Sequence, residues 1–145
     1  MPPRTLIWLL FGLSILLYAA CLPCESFCVD GRCSGWPSWS VLVFGFWPLS
    51  LANLTWTANP ILIVAWTFGL AKIDAILTAV LSASALMIGA SFLLANSVIT
   101  NEAGIPNSIT GYGTGYWLWL ASMMTTCIWA FAQLPFKSLQ RDRGS

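Results

Sequence analysis

Histidine is absent from the chain, and charge is scarce: six Lys/Arg and five Asp/Glu among 145 residues, 8% of the total. Without an imidazole there is no Ser-His-Asp relay, no His-held haem and no His-based zinc catalysis. An ordinary soluble domain carries about 25% charged residues, and so few ions cannot cover a water-facing surface. A nucleic-acid binder needs a basic face, which six scattered cations at a formal net charge of +1 do not make. Apolar residues are abundant, at 58%. The proportions point to an all-α integral membrane protein whose partner is the lipid bilayer, and the length to a single membrane domain, 1–145.

Residues 5–20 carry no charge. Extended through Cys21 and Leu22 they make a first span, about 5–22, near the ~20 residues that cross a bilayer. A cleaved leader is the alternative, with Arg4 as its charged start and Ala19-Ala20 before a cleavage point, in a secretory or a lipoprotein-type form. Pro, Gly, Ser and charged residues then mark an outer loop, 23–40. The apolar stretch 41–50 is too short to span. It reads as an interfacial or re-entrant segment, with Trp36, Trp39 and Trp47 at headgroup level.

From 51 to 94 the chain is largely apolar, and its only charges are Lys72 and Asp74. A charge at mid-bilayer costs at least about 2.5 kcal/mol. The cut therefore falls there, giving spans 51–71 and 75–95 joined by a tight turn at 72–74. The first of these contains Asn53, Asn59 and Pro60. Pro60 is expected to kink it. The Asn59 amide, with Thr55 one turn earlier, must find a partner on another helix or in water. These three residues, Thr55, Asn59 and Pro60, are the best candidate for a polar pocket within the bilayer. A second outer loop, 96–113, holds Glu102 and Pro106, a fourth span covers 114–134, and a basic tail covers 135–145.

With four spans, Arg4, Lys72, Lys137, Arg141 and Arg143 share one side and only Arg32 opposes them. The bias of Lys and Arg toward the cytoplasm makes these five the cytoplasmic anchors. It places both termini inside and both loops outside a bacterial inner membrane. Once Asp74 sits at the interface no carboxylate is left within a span, which argues against ion-coupled carriers. Small residues recur four apart at Ala65/Gly69, Ala85/Gly89 and Ser122/Thr126/Ala130. That spacing suits close helix packing, within the bundle or toward a homo-oligomer or another membrane protein.

The densest chemistry is Cys21-x2-Cys24-x3-Cys28-x4-Cys33. On an outer face these thiols oxidise, and three pairings are open. One or two structural bridges are expected. A four-cysteine zinc site fits an oxidising compartment poorly, so no metal is expected. Cys127 reads as a small packing residue in the fourth span. Thr110-Gly111-Tyr112-Gly113 is similar to part of a potassium-channel filter but lacks a pore helix before it. Gly111, Gly113 and Gly115 read as a flexible entry to the last span.

Four spans with Cys21-Leu22-Pro23-Cys24 on an outer loop resemble the quinone-linked membrane oxidases that generate disulfides in bacteria. That resemblance implies thiol exchange with quinone as cofactor. Those enzymes carry a second cysteine pair in their second outer loop. Residues 96–113 hold none, so Cys28 and Cys33 would have to take its place. At Trp56-Thr57-Ala58-Asn59-Pro60 and at Gly115-Tyr116-Trp117-Leu118-Trp119-Leu120-Ala121-Ser122 the chain also resembles small multi-pass proteins of bacterial inner membranes. That likeness implies the topology and attaches no activity. The leading expectation is a non-enzymatic accessory, partner-binding or immunity-type component with no catalytic residue and no cofactor. A membrane thiol-disulfide oxidoreductase is second, and a small channel or solute carrier third.

Overall fold

Ser14, Ser82, Ser122 and Thr126 lie inside the bundle and Leu9, Leu16 and Leu70 outside it in this computed structural model, which describes residues 3–46, 51–100 and 103–134. Four helices run alternately up and down: α1 (Arg4–Cys21), α4 (Ala58–Ala71), α5 (Ala75–Ser91) and α6 (Thr114–Ala132). Two short helices, α2 (Ser38–Phe44) and α3 (Leu51–Leu54), and three strands lie at one end. Lys137, Arg141 and Arg143 lie outside the described residues, as do Trp47 and Glu102. Arg4 and the Lys72 turn sit at the end of the bundle away from the strands, and Arg32 sits at the strand end.

The chain is mostly helical but not all-α. Strands β1 (Phe27–Val29), β2 (Ser97–Ile99) and β3 (Pro106–Tyr112) form an antiparallel sheet in the order β1-β3-β2. The two segments expected as separate loops therefore zip together, with Phe27 opposite Tyr112 and Val98 opposite Asn107. Pairing across some eighty residues leaves no local trace beyond short β-branched and aromatic runs. The Thr110–Gly113 stretch is part of this cap and not a pore lining: Thr110 to Tyr112 are strand, and Gly113 N–H donates to Ser26 O (2.9 Å).

Four spans were expected, but among the described residues only two helical stretches, Arg4–Cys21 and Ala75–Leu94, are long and apolar enough to cross a membrane. Two physical reasons separate the others. Helix α6 has the length, but Gly, Ser, Thr and Tyr dilute its hydropathy. Helix α4 has only 14 residues, because 51–57 form α3 and a 3-10 turn, Thr55–Thr57. Pro60 consequently lies in the first turn of α4 instead of kinking a long helix. There a missing N–H costs little. The Asn59 side chain donates Nδ2 to Trp56 O (3.1 Å), the carbonyl that an N–H at position 60 would use in a regular helix. The turn at 72–74 is made by Lys72 in the left-handed region (φ 54°) and by Asp74, whose carboxylate caps α5 through Leu77 N–H (2.9 Å).

Polar contacts join the helices. Ser14 Oγ donates to Ser122 O (3.1 Å) and Ser122 Oγ donates back to Ser14 O (2.9 Å). Thr126 Oγ1 shares a hydrogen bond with Ser14 Oγ (2.6 Å), and Trp66 Nε1 reaches Thr126 Oγ1 (2.9 Å). Small residues admit large ones elsewhere. The Trp129 ring fills the space above Gly69, and Met123 with Trp119 fills that above Gly89. Trp129 Nε1 is the one buried side-chain polar atom without a partner among the described residues.

Gly113 and Gly115 are close-approach residues, not a flexible entry. Gly115 N–H donates to Glu25 O (2.9 Å), and a Cβ there would lie 2.7 Å from Cys24 O and 2.9 Å from Glu25 O. Overpacking of this kind costs about 1–3 kcal/mol. Gly115→Ala should therefore lower stability by roughly that amount, while Gly12→Ala on α1, where nothing lies within 4 Å, should not. Unfolding of purified protein in denaturing detergent measures both, and equal stabilities would contradict the packing described.

Candidate functional site: an aromatic cavity beneath the cysteine loop

The cysteine loop is built on a tight hairpin. Val29 and Arg32 exchange backbone hydrogen bonds (2.9 Å each), and Asp30 and Gly31 between them have φ of 49° and 80°. Two central residues at positive φ make the primed turn that Asp-Gly favours. Cys28 and Cys33 flank this turn and are disulfide-bonded. The hairpin tip docks on β3: Asp30 N–H donates to Ser108 O (3.1 Å) and Gly31 N–H to Thr110 Oγ1 (3.0 Å). The Asp30-Gly31 dipeptide was a readable turn signal that the sequence analysis did not use.

One bridge is formed, Cys28–Cys33, so none of the three two-bridge pairings is complete, and Cys21, Cys24 and Cys127 are free thiols. Cys21 is buried at the last residue of α1 and donates to Tyr18 O (3.0 Å). Cys24 is half-buried, and its thiol donates to Ala20 O (3.4 Å). No grouping of three or more His, Cys, Asp or Glu able to hold a metal occurs among the described residues.

Below the hairpin, where the bundle meets the sheet, lies a cavity of about 280 Å³. Its roof is α2 and the turn after it. Ser38 N–H donates to Cys24 O (2.8 Å), Trp39 N–H to Leu22 O (3.0 Å), and Trp56 Nε1 to Leu42 O (2.7 Å), which holds the roof down at both ends. Its walls are aromatic: Phe27 stacks on Trp36 (centroids 5.9 Å, planes at 14°), and Phe92 packs on Phe27 and Tyr116 (5.7 Å each). The rings are fixed from outside. Tyr116 OH donates to Gly89 O (3.1 Å) and Tyr112 OH to Phe92 O (3.1 Å). Burial raises the pKa of the Tyr112 phenol, so that hydroxyl keeps its proton and remains a donor.

The floor is Asn59. Its Oδ1 accepts from Tyr18 OH (3.0 Å) on α1 and from Trp119 Nε1 (2.8 Å) on α6. One side chain on α4 thus ties three helices at the level of the cavity. Thr55, placed one turn before Asn59 in the sequence, lines the cavity but donates to Ala52 O (2.6 Å) and is not bonded to Asn59. The side chain of Asn53 lies outside the described residues. Tyr18 and Trp119, the two donors that complete the floor, were missed. Each is a polar-tipped aromatic in an apolar helix, and such a tip needs an acceptor when buried.

Replacing Asn59 by Leu removes the acceptor of two buried donors, and each orphaned group costs about 1–3 kcal/mol. In an apolar bundle the net cost runs lower, about 0.6–2 kcal/mol per bond. Asn59→Leu should therefore destabilise the protein by roughly 1–3 kcal/mol, and Ile63→Leu at an exposed position on the same helix should be nearly silent. Detergent-titrated unfolding reads the difference, and indifference to both changes would mean that the amide carries no load.

No protein-family model, no curated protein and no solved structure matches this chain.

Proposed function

We propose that the chain is a polytopic inner-membrane protein that crosses the bilayer four times, with the sheet and cysteine loop outside and both termini in the cytoplasm. It acts as a non-enzymatic accessory or partner-binding component. The observation that carries this reading is the inverted polarity of the bundle. Ser14, Ser82, Ser122 and Thr126 are 0% exposed, while Leu16, Ile76 and Met87 are 67%, 70% and 73% exposed. Burying one large apolar side chain is worth ~1.5–3 kcal/mol. Leaving ten of them in water would forgo about 15–30 kcal/mol, more than the ~5–15 kcal/mol that holds a whole domain together. Hydrocarbon around the helices removes that deficit. The short α4 is accommodated at the roofed end, where α2 presents Trp39, Val43 and Phe44 outward as an interfacial segment.

The carboxylates support an accessory role over a carrier. Glu25 accepts from Trp36 N–H (2.8 Å) and Gly35 N–H (3.3 Å), Asp30 accepts from Ser108 N–H (3.2 Å), and Asp74 caps α5. All three described carboxylates hold backbone, and none lies within a helix of the bundle. The test is cysteine labelling in intact cells with a membrane-impermeant maleimide, in a background lacking Cys21, Cys24 and Cys127. Ser34→Cys and Ser108→Cys should label from outside, and Ile73→Cys only after permeabilisation. Labelling of all three in intact cells, or recovery of the protein in the soluble fraction, would sink the topology.

Thiol exchange is the second reading, favoured by the free Cys21 and Cys24 and by Cys21 lining the cavity. Against it stands position: Cys21 ends α1, and the C-terminal end of a helix disfavours the thiolate that exchange requires. Cys24 is the more accessible of the two, so a partner disulfide would be attacked there and resolved by Cys21. The informative substitution is then Cys21→Ser. The accessory reading expects no mixed disulfide on Cys24 in that variant, by non-reducing electrophoresis of cells quenched with acid. A trapped partner would reverse the ranking.

A further inference from the structure

From the chemistry of the cavity walls we infer that the space under the α2 roof is a binding site for an uncharged amphiphile. Such a ligand has an apolar body and one carbonyl-type hydrogen-bond acceptor, and the acceptor is read by the side-chain N–H of Asn59. The site goes beyond the accessory role above and does not depend on the bilayer topology.

Three observations set the ligand's class. First, no Asp, Glu, Lys or Arg among the described residues lines the cavity. A charged ligand would be desolvated against these walls without a counter-charge from them. The occupant is therefore neutral. Second, the walls are aromatic, and the rings of Tyr116, Trp56 and Trp119 are held in place by hydrogen bonds to Gly89 O, Leu42 O and Asn59 Oδ1. A surface fixed in this way is preformed, so little ordering cost is left for binding. Third, the floor offers one specific polar group. Asn59 is 6% exposed, and its Oδ1 already accepts two hydrogen bonds. Its amide nitrogen carries two hydrogens. One goes to Trp56 O, and the second has no acceptor among the described residues. The donors of Tyr18 and Trp119 lock the amide orientation, so this N–H cannot be exchanged for the oxygen by a flip. A ligand oxygen is matched here by a donor. The volume, about 280 Å³, lies just below the ~300–1,000 Å³ of small-molecule sites, which suits one ring or a short chain segment with its carbonyl.

A neutral carbonyl compound of this kind could arrive as a lipid or as a water-borne small molecule, and the test separates the two. The purified full-length protein, held in an amphipathic polymer free of added lipid, is titrated with four probes. Dioctanoylglycerol is a two-chain neutral ester, ethyl benzoate a chain-free neutral ester, benzoate its charged counterpart, and ethylbenzene its counterpart without an acceptor. At least one neutral ester should bind saturably at one site per chain. Dioctanoylglycerol alone would assign the lipid source, and ethyl benzoate the soluble one. Benzoate should bind at least tenfold more weakly than its ester, and ethylbenzene several-fold more weakly. Ala52→Phe, which places a ring in the cavity wall, should weaken binding of the ester at least tenfold. Where that variant fails to fold, Ile99→Trp makes the same test from the sheet side. Absence of saturable binding by both esters overturns the inference. So do binding untouched by the wall-filling variants, equal affinity for benzoate and its ester, or equal affinity for ethylbenzene and ethyl benzoate.

Discussion

Helices α1 and α6 meet backbone to backbone because Ser14 and Ser122 each donate to the other's carbonyl. A pair of larger residues would hold the axes apart and leave those hydroxyls no carbonyl to reach. Interhelical bonds of this kind are worth only about 0.6–2 kcal/mol each, so their main effect is geometric. Once the two backbones touch, Thr126 falls within reach of Ser14, and the two hydroxyls offer an acceptor into which Trp66 of α4 projects. On the other side of α6, Gly89 lets α5 approach under Met123 and Trp119. The order of the bundle follows from one reciprocal contact between two serines.

The cap is a consequence of the same contact. When α1 and α6 are adjacent, the residues leaving α1 and those entering α6 run side by side. Gly113 N–H then reaches Ser26 O and Gly115 N–H reaches Glu25 O (2.9 Å each). That pairing delivers β3 to β1, and β2 adds on the free edge of β3. The Cys28–Cys33 bridge plays no part in joining the segments. It closes a hairpin between residues only five apart. Glycine is required at 113 and 115 because two backbones share the space a side chain would occupy.

Much of this could be read from the residues. Helices α1, α5 and α6 fall close to where charge and hydropathy place them, and the break at Lys72 and Asp74 is a turn. The need of Asn59 for partners follows from burying an amide in an apolar helix. The identity of those partners does not, because Tyr18 and Trp119 lie forty-one and sixty residues away and nothing in spacing links them. The sheet was invisible for the same reason: β1 is three residues long and its partner begins near residue 106. The start of α4 was misjudged because hydropathy runs through 51–57 without interruption. Only the backbone limits at Pro60 and the side-chain bond from Asn59 to Trp56 O show where the regular helix begins.

The distribution of spent and unspent polar groups then sets the two ends of the bundle apart. Inside the bundle, Ser14, Ser122, Thr126 and Trp66 satisfy one another, and Thr78 and Ser82 return to carbonyls of their own helix segment. At the far end Trp129 Nε1 has no partner among the described residues, and its ring is packed against Phe11 (5.1 Å) over Gly69. At the roofed end, by contrast, Asn59, the free thiol Cys21 and a wall of aromatic rings line one open volume. The same Asn59 accepts from Tyr18 of α1 and Trp119 of α6, so one side chain of α4 both joins three helices and lines the cavity.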